Sequence, residues 1–391
     1  MLSDVFFPRI NGVSTSIQTF KNGLASHGID LRLIAPDYGQ PGSCSADNPS
    51  PANADWVTRL PSRPVPFDPE DHFVRPKKFV AAGQFMLPGL IHVQTPFSAH
   101  YAGIELAKWH RIPVVLTYHT LFEEYLHHYL PLLPAALTRR LARHISRQQC
   151  NAVDAVVVPS RAMRDRLIEY GVTTPMHIIP TGIPVEQFKQ GNGQRFRIRH
   201  HIAPDRPMAL FVGRMAFEKN LEFLLTAARH ARDHCPDLLW IFAGEGPAVD
   251  KMTSEIARLG MTDNVRLVGN LDRSTELPDC YAAADVFVFA SKTETQGLVL
   301  LEAMAAGTPV VALARMGTCD IVEPELGAVS APDDPAGFAR CVCDVISNPT
   351  RQAQLASDGQ AFVQRWSVEA SATTLAALYR SPRFLPHRMK N

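Results

Sequence analysis

The feature that most constrains the fold is an alternation of short apolar runs with longer helix-like stretches along most of the chain. The runs are rich in β-branched residues and bounded by turn residues; they cover 31–35, 90–93, 114–117, 153–158, 209–212, 239–243, 265–268, 286–289 and 310–313. Near-continuous apolar strands separated by helices are typical of parallel sheets covered on both faces. The pattern therefore predicts an α/β protein with doubly wound, open sheets.

A chain of 391 residues is long enough for two such domains. The sequence Pro180-Thr-Gly-Ile-Pro184 ends one run and is soon followed by polar, turn-rich residues, so we place the boundary there. We expect a first Rossmann-like domain over 1–182, a second over 183–365, and a last helix over 366–391 that returns to the first domain. Two parallel sheets whose carboxyl edges face a cleft would bind their ligand in that cleft.

Two segments of the first domain depart from the regular pattern. Asn11-Gly12-Val13 resembles the turn between a first strand and a first helix, yet few residues precede it. The first strand is therefore expected to be short, as though the start lay upstream. The stretch 39–69 is rich in proline, serine and aspartate, which predicts a surface excursion.

Charge and cysteine content exclude several classes of function. Lys and Arg number 39 against 38 Asp and Glu, so bulk basicity for binding nucleic acid is absent. The 7 cysteines form no CxxC pair, which favours reduced cytosolic thiols over disulfides or a zinc site. The most apolar stretch, 298–314, is too short to cross a bilayer, and the N-terminus lacks the layout of a signal peptide. We expect a cytoplasmic protein that is soluble or peripheral on the inner face of a membrane.

Three turns marked by Gly12, Gly213 and Gly297 follow predicted strands and open helices. Backbone N–H groups at such a position form an anion site, although α/β proteins also use these turns for packing alone. The nucleotide-triphosphate loop GxxxxGK[ST] is absent. Gly244-Glu-Gly246 starts like a dinucleotide fingerprint but lacks its third glycine, so NAD binding is not expected.

Arg214 and Lys219 stand five positions apart, just before a helix predicted to begin near Asn220. Two cations at this spacing can converge on one diphosphate. The alternative is that Lys219 is merely a solvated side chain beside Glu218.

Two glutamates and one histidine complete the candidate residues. Glu302 lies among Leu, Ala and Met, where a carboxylate is costly unless it is paired or faces a polar ligand such as sugar hydroxyls. Glu294 is expected in the loop before that helix. The alternative for Glu302 is that its side chain lies on the one solvent-exposed side of its helix. His119 ends a predicted strand, where side chains reach the cleft, although most histidines are structural.

Together these motifs resemble the retaining nucleotide-sugar glycosyltransferases of family four, which have the GT-B fold. The resemblance rests on Val212-Gly-Arg with Glu218-Lys-Asn, on Phe242-Ala-Gly-Glu-Gly-Pro, and on Glu294-x7-Glu302, and it runs in order to Trp366. The segments His119–Tyr129, Pro159-Ser160, 180–183 and 293–297 look most like the branch that glycosylates diacylglycerol. Other members usually have Phe at the position of Gln296.

The resemblance implies a role for each candidate. Arg214 and Lys219 would hold the donor diphosphate, and Glu302 the ribose. Glu294 would bind a hydroxyl of the transferred sugar, and His119 would contact that sugar near the reacting carbon. The rest of the donor site would come from Gly12, Gly213, Gly244, Asn270, Leu271, Gln296, Gly297 and Leu298.

The implied reaction moves a hexose from a UDP- or GDP-sugar, which is a substrate, so no cofactor is expected. Same-face attack, with the leaving phosphate taking the acceptor proton, needs neither a protein nucleophile nor a metal. Alternatives are a nucleotide-sugar epimerase or phosphorylase of the same fold, or a non-catalytic protein that binds sugar nucleotides.

The acceptor is expected to be a lipid, either diacylglycerol-like or phosphatidylinositol-like, or a glycan. Arg139, Arg140, Arg143 and Arg147 cluster on one predicted helix. On its helical wheel Arg139, Arg143 and Arg147 form one stripe, and Leu137, Leu141 and Ile145 the opposite one. A basic amphipathic helix can lie on anionic lipid. The alternative is a helix packed on its sheet with a solvated arginine face.

Overall fold

The computed structural model describes residues 1–9, 11–39, 55–65, 68–119, 135–382 and 384, without the side chains of 68–70, 135 and 136. Contacts divide the chain into two compact units. Unit 1 comprises Met1–Gly182 together with Val368–Asn391, and unit 2 comprises Ile183–Ser367. The chain thus changes unit at Gly182, and its last helix groups with unit 1.

Strands and helices alternate along most of the described chain, as the apolar runs predict. The strands are β1 (Leu33–Asp37), β2 (Val57–Pro61), β3 (Arg63–Val65), β4 (Asp68–Phe73), β5 (Ile91–Val93), β6 (Val114–Thr117), β7 (Ala155–Val158), β8 (Met176–Ile178), β9 (Met208–Val212), β10 (Leu239–Ala243), β11 (Val265–Gly269), β12 (Val286–Phe289), β13 (Val310–Ala312) and β14 (Ala328–Ser330). The helices are α1 (Gly12–Ala25), α2 (Pro76–Gly83), α3 (Ser98–His110), α4 (Ala135–Asn151), α5 (Arg161–Glu169), α6 (Val185–Lys189), α7 (Gly193–Arg199), α8 (Leu221–Ala231), α9 (Val249–Arg258), α10 (Glu276–Ala283), α11 (Leu298–Ala305), α12 (Cys319–Val322), α13 (Pro335–Ile346), α14 (Pro349–Phe362) and α15 (Val368–Tyr379).

The start of the chain connects the two groups of parallel strands in unit 1. Strands β5-β6-β7-β8 pair in that order, and β1 pairs with β2. Leu2 bridges both Ile34 of β1 and Val93 of β5 in parallel. The expected first strand is thus present as a single bridge between these groups.

The expectation of a surface excursion over 39–69 is wrong for part of that stretch. Residues 57–61 form β2, which pairs in parallel with β1, and β3 and β4 form an antiparallel hairpin. Within β2 only Leu60 is buried. Because β2 lies at the edge of its sheet, its polar residues are tolerated, and the apolar run that marks a central strand is missing.

Unit 2 has a six-stranded parallel sheet in the order β11-β10-β9-β12-β13-β14. Strands β9, β10 and β12 are buried along their whole length, and Phe211 stacks on Phe289 with ring centroids 5.9 Å apart. Strand β14 was not predicted, because it is short and its flanking residues carry no apolar run. Strand β8 of unit 1 is the strand expected to end at Pro180. The predicted doubly wound α/β class is confirmed.

Helix α15 packs closely on α1 within unit 1. A Cβ on Gly23 would lie 2.5 Å from the Cβ of Ala372, so glycine permits this approach. The Tyr379 hydroxyl hydrogen-bonds His92 Nδ1, and His92 Nε2 lies 2.6 Å from Thr117 Oγ1. A buried polar chain therefore fixes the last helix to the sheet.

Acid is expected to destabilise unit 1 through three histidines that lie wholly or largely inside it. Burial lowers the pKa of both His100 and His119 to about 4 and that of His92 well below its usual value. The unfolded chain binds more protons below the ordinary histidine pKa of about 6.5, so this stability is complete above that pH and is lost as the pH falls toward 4. His100 and His119 account for up to about 3 kcal/mol each.

Urea unfolding between pH 8 and pH 5 measures this loss. His100→Leu is expected to remove part of the slope, whereas the same change at the exposed His234 is the control. An unfolding free energy that stays constant across this range contradicts the prediction.

Candidate active site

The donor residues predicted in unit 2 lie at one edge of its sheet. Gly213 follows β9, Gly244 follows β10, Asn270 follows β11, and Gln296 and Gly297 precede α11. Parallel neighbouring strands share a carboxyl edge, so the loops that carry these residues, together with Leu271 and Leu298, come together there. Gly12 and His119 belong to unit 1, where they begin α1 and follow β6.

Close backbone packing explains two glycines of this edge. A Cβ on Gly244 would lie 2.0 Å from the carbonyl oxygen of Gly213, and one on Gly246 would lie 2.5 Å from that of Met215. The amides of Gly213 and Gly244 donate to the carbonyls of Ala243 and Gly269. Gly244 and Gly246 thus allow the loops to pack closely, while the N–H groups of Gly213 and Gly244 are used in backbone hydrogen bonds.

Two other glycines are placed differently. Gly297 has a φ of +94° and caps the start of α11, so its conformation favours glycine. Gly12 is the first residue of α1, and among the described residues no heavy atom beyond its chain neighbours and helix backbone lies within 4 Å of the position that its Cβ would take. Contacts with these residues therefore do not require glycine at this position.

Lys219 forms an ion pair with Glu294, and both side chains are largely buried. Lys219 ends a short 3-10 turn before α8, and Glu294 precedes α11. The alternative of a solvated Lys219 beside Glu218 is therefore wrong: Glu218 instead lies 4.0 Å from Arg214, whose side chain is 63% exposed. An ammonium has three N–H donors, so the ion pair is compatible with a phosphate contact as well.

Glu302 is buried inside unit 2, with a relative exposure of 1%. Its carboxylate accepts hydrogen bonds from the Arg273 guanidinium and from the Tyr281 hydroxyl, the latter at 2.9 Å. The charge of Glu302 raises the pKa of Arg273. The pKa of Tyr281 is also raised, mainly by burial and secondly by the charge of Glu302. The alternative of an exposed glutamate is wrong, and the carboxylate has a partner that we did not predict.

Arg273 and Tyr281 are the site residues that the sequence motifs missed. Arg273 lies two positions after Leu271, in the loop that follows β11, and its guanidinium lies 5.7 Å from the ring centroid of Phe188. Tyr281 lies in the buried part of α10. The costly carboxylate on an apolar helix signalled that a partner was needed, but only the packing of α10 and the β11 loop against α11 identifies it.

His119 is neutral at physiological pH and has a defined hydrogen-bond partner. Its Nε2 lies 2.8 Å from Gln94 Oε1, and burial lowers its pKa to about 4. Because the amide oxygen only accepts, Nε2 carries the proton and Nδ1 is an acceptor. Residues 120–134, which include the rest of the His119–Tyr129 motif, lie outside the described residues.

Helix α4 buries neither the arginine stripe nor the two leucines of its helical wheel. Its buried face consists of Thr138, Ala142, Ser146, Gln149 and Cys150, and Ser146 Oγ lies 2.7 Å from the Tyr118 hydroxyl. Leu137 and Leu141 are 50% and 38% exposed. Small and polar residues thus form the buried face of α4, while both leucines of its apolar stripe are exposed.

Arg139, Arg140, Arg143 and Arg147 are also exposed on α4. Arg143 lies over the Tyr170 ring at 5.5 Å. The exposed surface of this helix therefore carries two leucines beside four cations.

Within the part of the chain that the structure describes, no three or more His, Cys, Asp or Glu side chains are grouped to hold a metal ion. Among the helices of those same residues, none combines the length and apolar character that a bilayer span needs.

Comparison with known proteins agrees with the motifs. The family described as glycosyltransferase family 4 matches residues 10–187, and the glycosyl transferases group 1 match residues 193–362. An α-monoglucosyldiacylglycerol synthase of Streptococcus pneumoniae is 32% identical over 80% of this chain and 70% of its own length. A GDP-mannose-dependent α-mannosyltransferase of Mycobacterium tuberculosis is 27% identical over 85% of this chain and 83% of its own.

Among solved structures, Anabaena HepE in complex with UDP superposes with a TM-score of 0.75 and 19% identity, covering 97% of this chain and 98% of its own. This likeness concerns the fold, and it confirms the predicted GT-B class. The family matches and the pneumococcal relative confirm the predicted family. The chain belongs to the glycosyltransferases of family 4.

Proposed function

We propose that this glycosyltransferase moves a hexose from a UDP- or GDP-sugar to a lipid acceptor, with retention at the anomeric carbon. The observation that carries the proposal is the pair of charged contacts at one sheet edge of unit 2, Lys219 with Glu294 and Arg273 with Glu302. This edge offers cations for a diphosphate and carboxylates for sugar hydroxyls. Both are parts of a sugar nucleotide.

Glu302 would receive the ribose hydroxyls. Arg273 balances the buried carboxylate and covers it, since the guanidinium is partly exposed while Glu302 is not. A ribose that reaches Glu302 must therefore displace Arg273 from part of the carboxylate. The ribose diol then supplies the donors that Arg273 supplied before.

Lys219 and Arg214 would stabilise the diphosphate as it leaves. The anomeric carbon gains oxocarbenium character while negative charge develops on the leaving phosphate, so cations aimed at that phosphate lower the barrier. In same-face attack the leaving phosphate oxygen takes the proton of the acceptor hydroxyl. Glu294 would position Lys219 and bind a hydroxyl of the transferred sugar. The neutral His119 would contact the same sugar, and Gly12, which has no side chain, would leave room for the donor.

The lipid acceptor is supported by the pneumococcal relative, whose name describes a glucosylated diacylglycerol, and by α4. Exposed leucines beside exposed arginines are the composition with which a helix binds an anionic lipid surface. The proposal therefore places the protein at the cytoplasmic face of a membrane.

Vesicle binding is expected to weaken when α4 loses charge. Each arginine near an anionic surface contributes about 1 kcal/mol, so Arg139→Gln with Arg140→Gln should lower the partition coefficient about 30-fold. Sedimentation with phosphatidylglycerol vesicles measures this. As a control, Arg229→Gln on α8 with Arg232→Gln just after its end removes the same charge. Equal loss in both double variants would contradict a role for α4.

Thermal shifts with UDP-, GDP- and ADP-sugars test the donor, and transfer of labelled hexose to dispersed lipid tests the reaction. A donor at 100 times its Kd stabilises the protein by about 2.7 kcal/mol. The anomeric configuration of the product, read by NMR, tests retention. Absence of any stabilising sugar nucleotide would overturn the proposal, and formation of a new sugar nucleotide without acceptor would point to an epimerase.

A further inference from the structure

A second polar group of side chains lies in unit 1, at the carboxyl edge of β1 and β2. We name it the edge cluster, and it consists of Arg9, Tyr38, Arg59, Ser62, Asp71 and His72. Its members come from the segment before α1, from the ends of β1 and β2, and from β4 of the hairpin. None of them belongs to the donor residues described above.

Direct contacts hold this cluster together. Arg9 forms an ion pair with Asp71 at 2.8 Å between Nη1 and Oδ1. The rings of Tyr38 and His72 lie 4.5 Å apart, and Ser62 Oγ lies 2.7 Å from His72 Nδ1. The β3–β4 hairpin is thereby fixed to the sheet edge.

Arg59 has a supporting role. It donates to the carbonyl of Pro36 at 2.8 Å and to that of Phe7 at 2.7 Å. These bonds join the end of β1 to the segment that leads to α1. The position of Arg9, and hence its contact with Asp71, depends on this link.

The chemistry of the cluster selects among the groups that an acceptor can present. Asp71, 33% exposed, offers a carboxylate acceptor, and Arg9 and the Tyr38 hydroxyl offer donors. The Asp71 carboxylate neutralises Arg9, and Arg59 donates to two backbone carbonyls, so the cluster offers an anionic phosphate little net attraction. Hydroxyl groups both donate and accept, and the aromatic rings of Tyr38 and His72 provide apolar surface beside these groups. A sugar ring combines several hydroxyls with an apolar face.

We propose that the edge cluster binds an uncharged sugar ring carried by the acceptor, with Asp71 accepting hydrogen bonds from its hydroxyls. This inference rests on the proposed glycosyl transfer and makes it more specific. Diacylglycerol presents a single hydroxyl and no ring, so it would leave most of the cluster unused. The acceptor would then be the product of an earlier glycosyl transfer.

Asp71→Asn tests the proposal, with Asp30→Asn as the matched control, since Asp30 forms an exposed ion pair with Arg32 in the same unit. A partly exposed ion pair contributes little to stability, so both variants should fold. Hexose transfer is measured in mixed micelles of monoglucosyl-dioleoylglycerol, dioleoylglycerol or phosphatidylinositol. Two further measurements accompany it. One is donor hydrolysis in the absence of acceptor, and the other is binding of methyl α-glucoside, which saturation-transfer NMR detects.

We expect monoglucosyl-dioleoylglycerol to be the best acceptor, and its KM to rise about tenfold in Asp71→Asn, because hydroxyl contacts to a charge are lost. The donor KM, donor hydrolysis and the Asp30→Asn control should stay at wild-type values. An unchanged acceptor KM, an equal change in donor KM, or preference for dioleoylglycerol or phosphatidylinositol would overturn the inference. Binding of methyl α-glucoside to the wild type that is lost in Asp71→Asn would support the inference even if no transfer is found, and equal binding by both would overturn it. If the protein shows neither donor hydrolysis nor transfer, the result counts against the proposed function instead.

Discussion

Replacement of Glu302 by alanine is expected to abolish the stabilisation that a sugar nucleotide gives to the wild-type protein. Two ribose hydroxyls donating to a buried carboxylate contribute about 1.5–3 kcal/mol each, so donor affinity should fall at least about 100-fold. Calorimetric titration with the nucleoside diphosphate measures the Kd directly.

The control for Glu302→Ala is Glu276→Ala, which removes another carboxylate of unit 2 that forms an ion pair with an arginine, Arg199. Glu302→Ala also leaves Arg273 without its partner, but that guanidinium is partly exposed and can turn to water. The fold should therefore survive. Equal nucleotide affinity in wild type and Glu302→Ala would remove the ribose role from Glu302.

Lys219→Met is expected to lower kcat by about 10²–10³-fold, because the ammonium stabilises charge that develops only as the diphosphate leaves. The donor Kd should change much less, since the ground-state diphosphate keeps its other contacts. Steady-state transfer rates at saturating acceptor, together with calorimetric donor binding, separate the two effects.

Lys251→Met is the matched control for Lys219→Met. Lys251 forms an ion pair with Glu222 on the surface of the same unit, so its replacement removes a like contact while the Lys219–Glu294 pair is kept. A kcat for Lys219→Met within a few-fold of the control would show that Lys219 serves only its ion pair with Glu294.

Much of the central sheet of unit 2 follows from sequence alone. The runs at 239–243 and 286–289 coincide with β10 and β12, because strands buried on both faces must be apolar along their whole length. The edge strands β2 and β14 were not predicted, since a strand that is partly exposed carries no such run. Only the pairing of these strands with their neighbours identifies them.

Packing decided the surroundings of the candidate residues. The sequence indicated that the Glu302 carboxylate needs a partner, and the structure supplies Arg273 and Tyr281 from elements distant along the chain. The sequence predicted a diphosphate role for Lys219 but not its ion pair with Glu294, which lies 75 positions further along the chain. Such contacts depend on which loops share one sheet edge, and local periodicity contains no information about that.

The sequence by itself determined the α/β class, the family and the candidate residues Arg214, Lys219, Glu294 and Glu302, because buried strands and glycine-marked turns leave local patterns. It did not identify Arg273, the partner of Glu302. The tertiary structure alone decided that α4 packs through Thr138, Ala142 and Ser146 and exposes its leucines. It alone brought Arg9 to Asp71 and Tyr38 to His72. A helical wheel shows which residues share a face, but the face that turns inward is set by the sheet on which the helix packs.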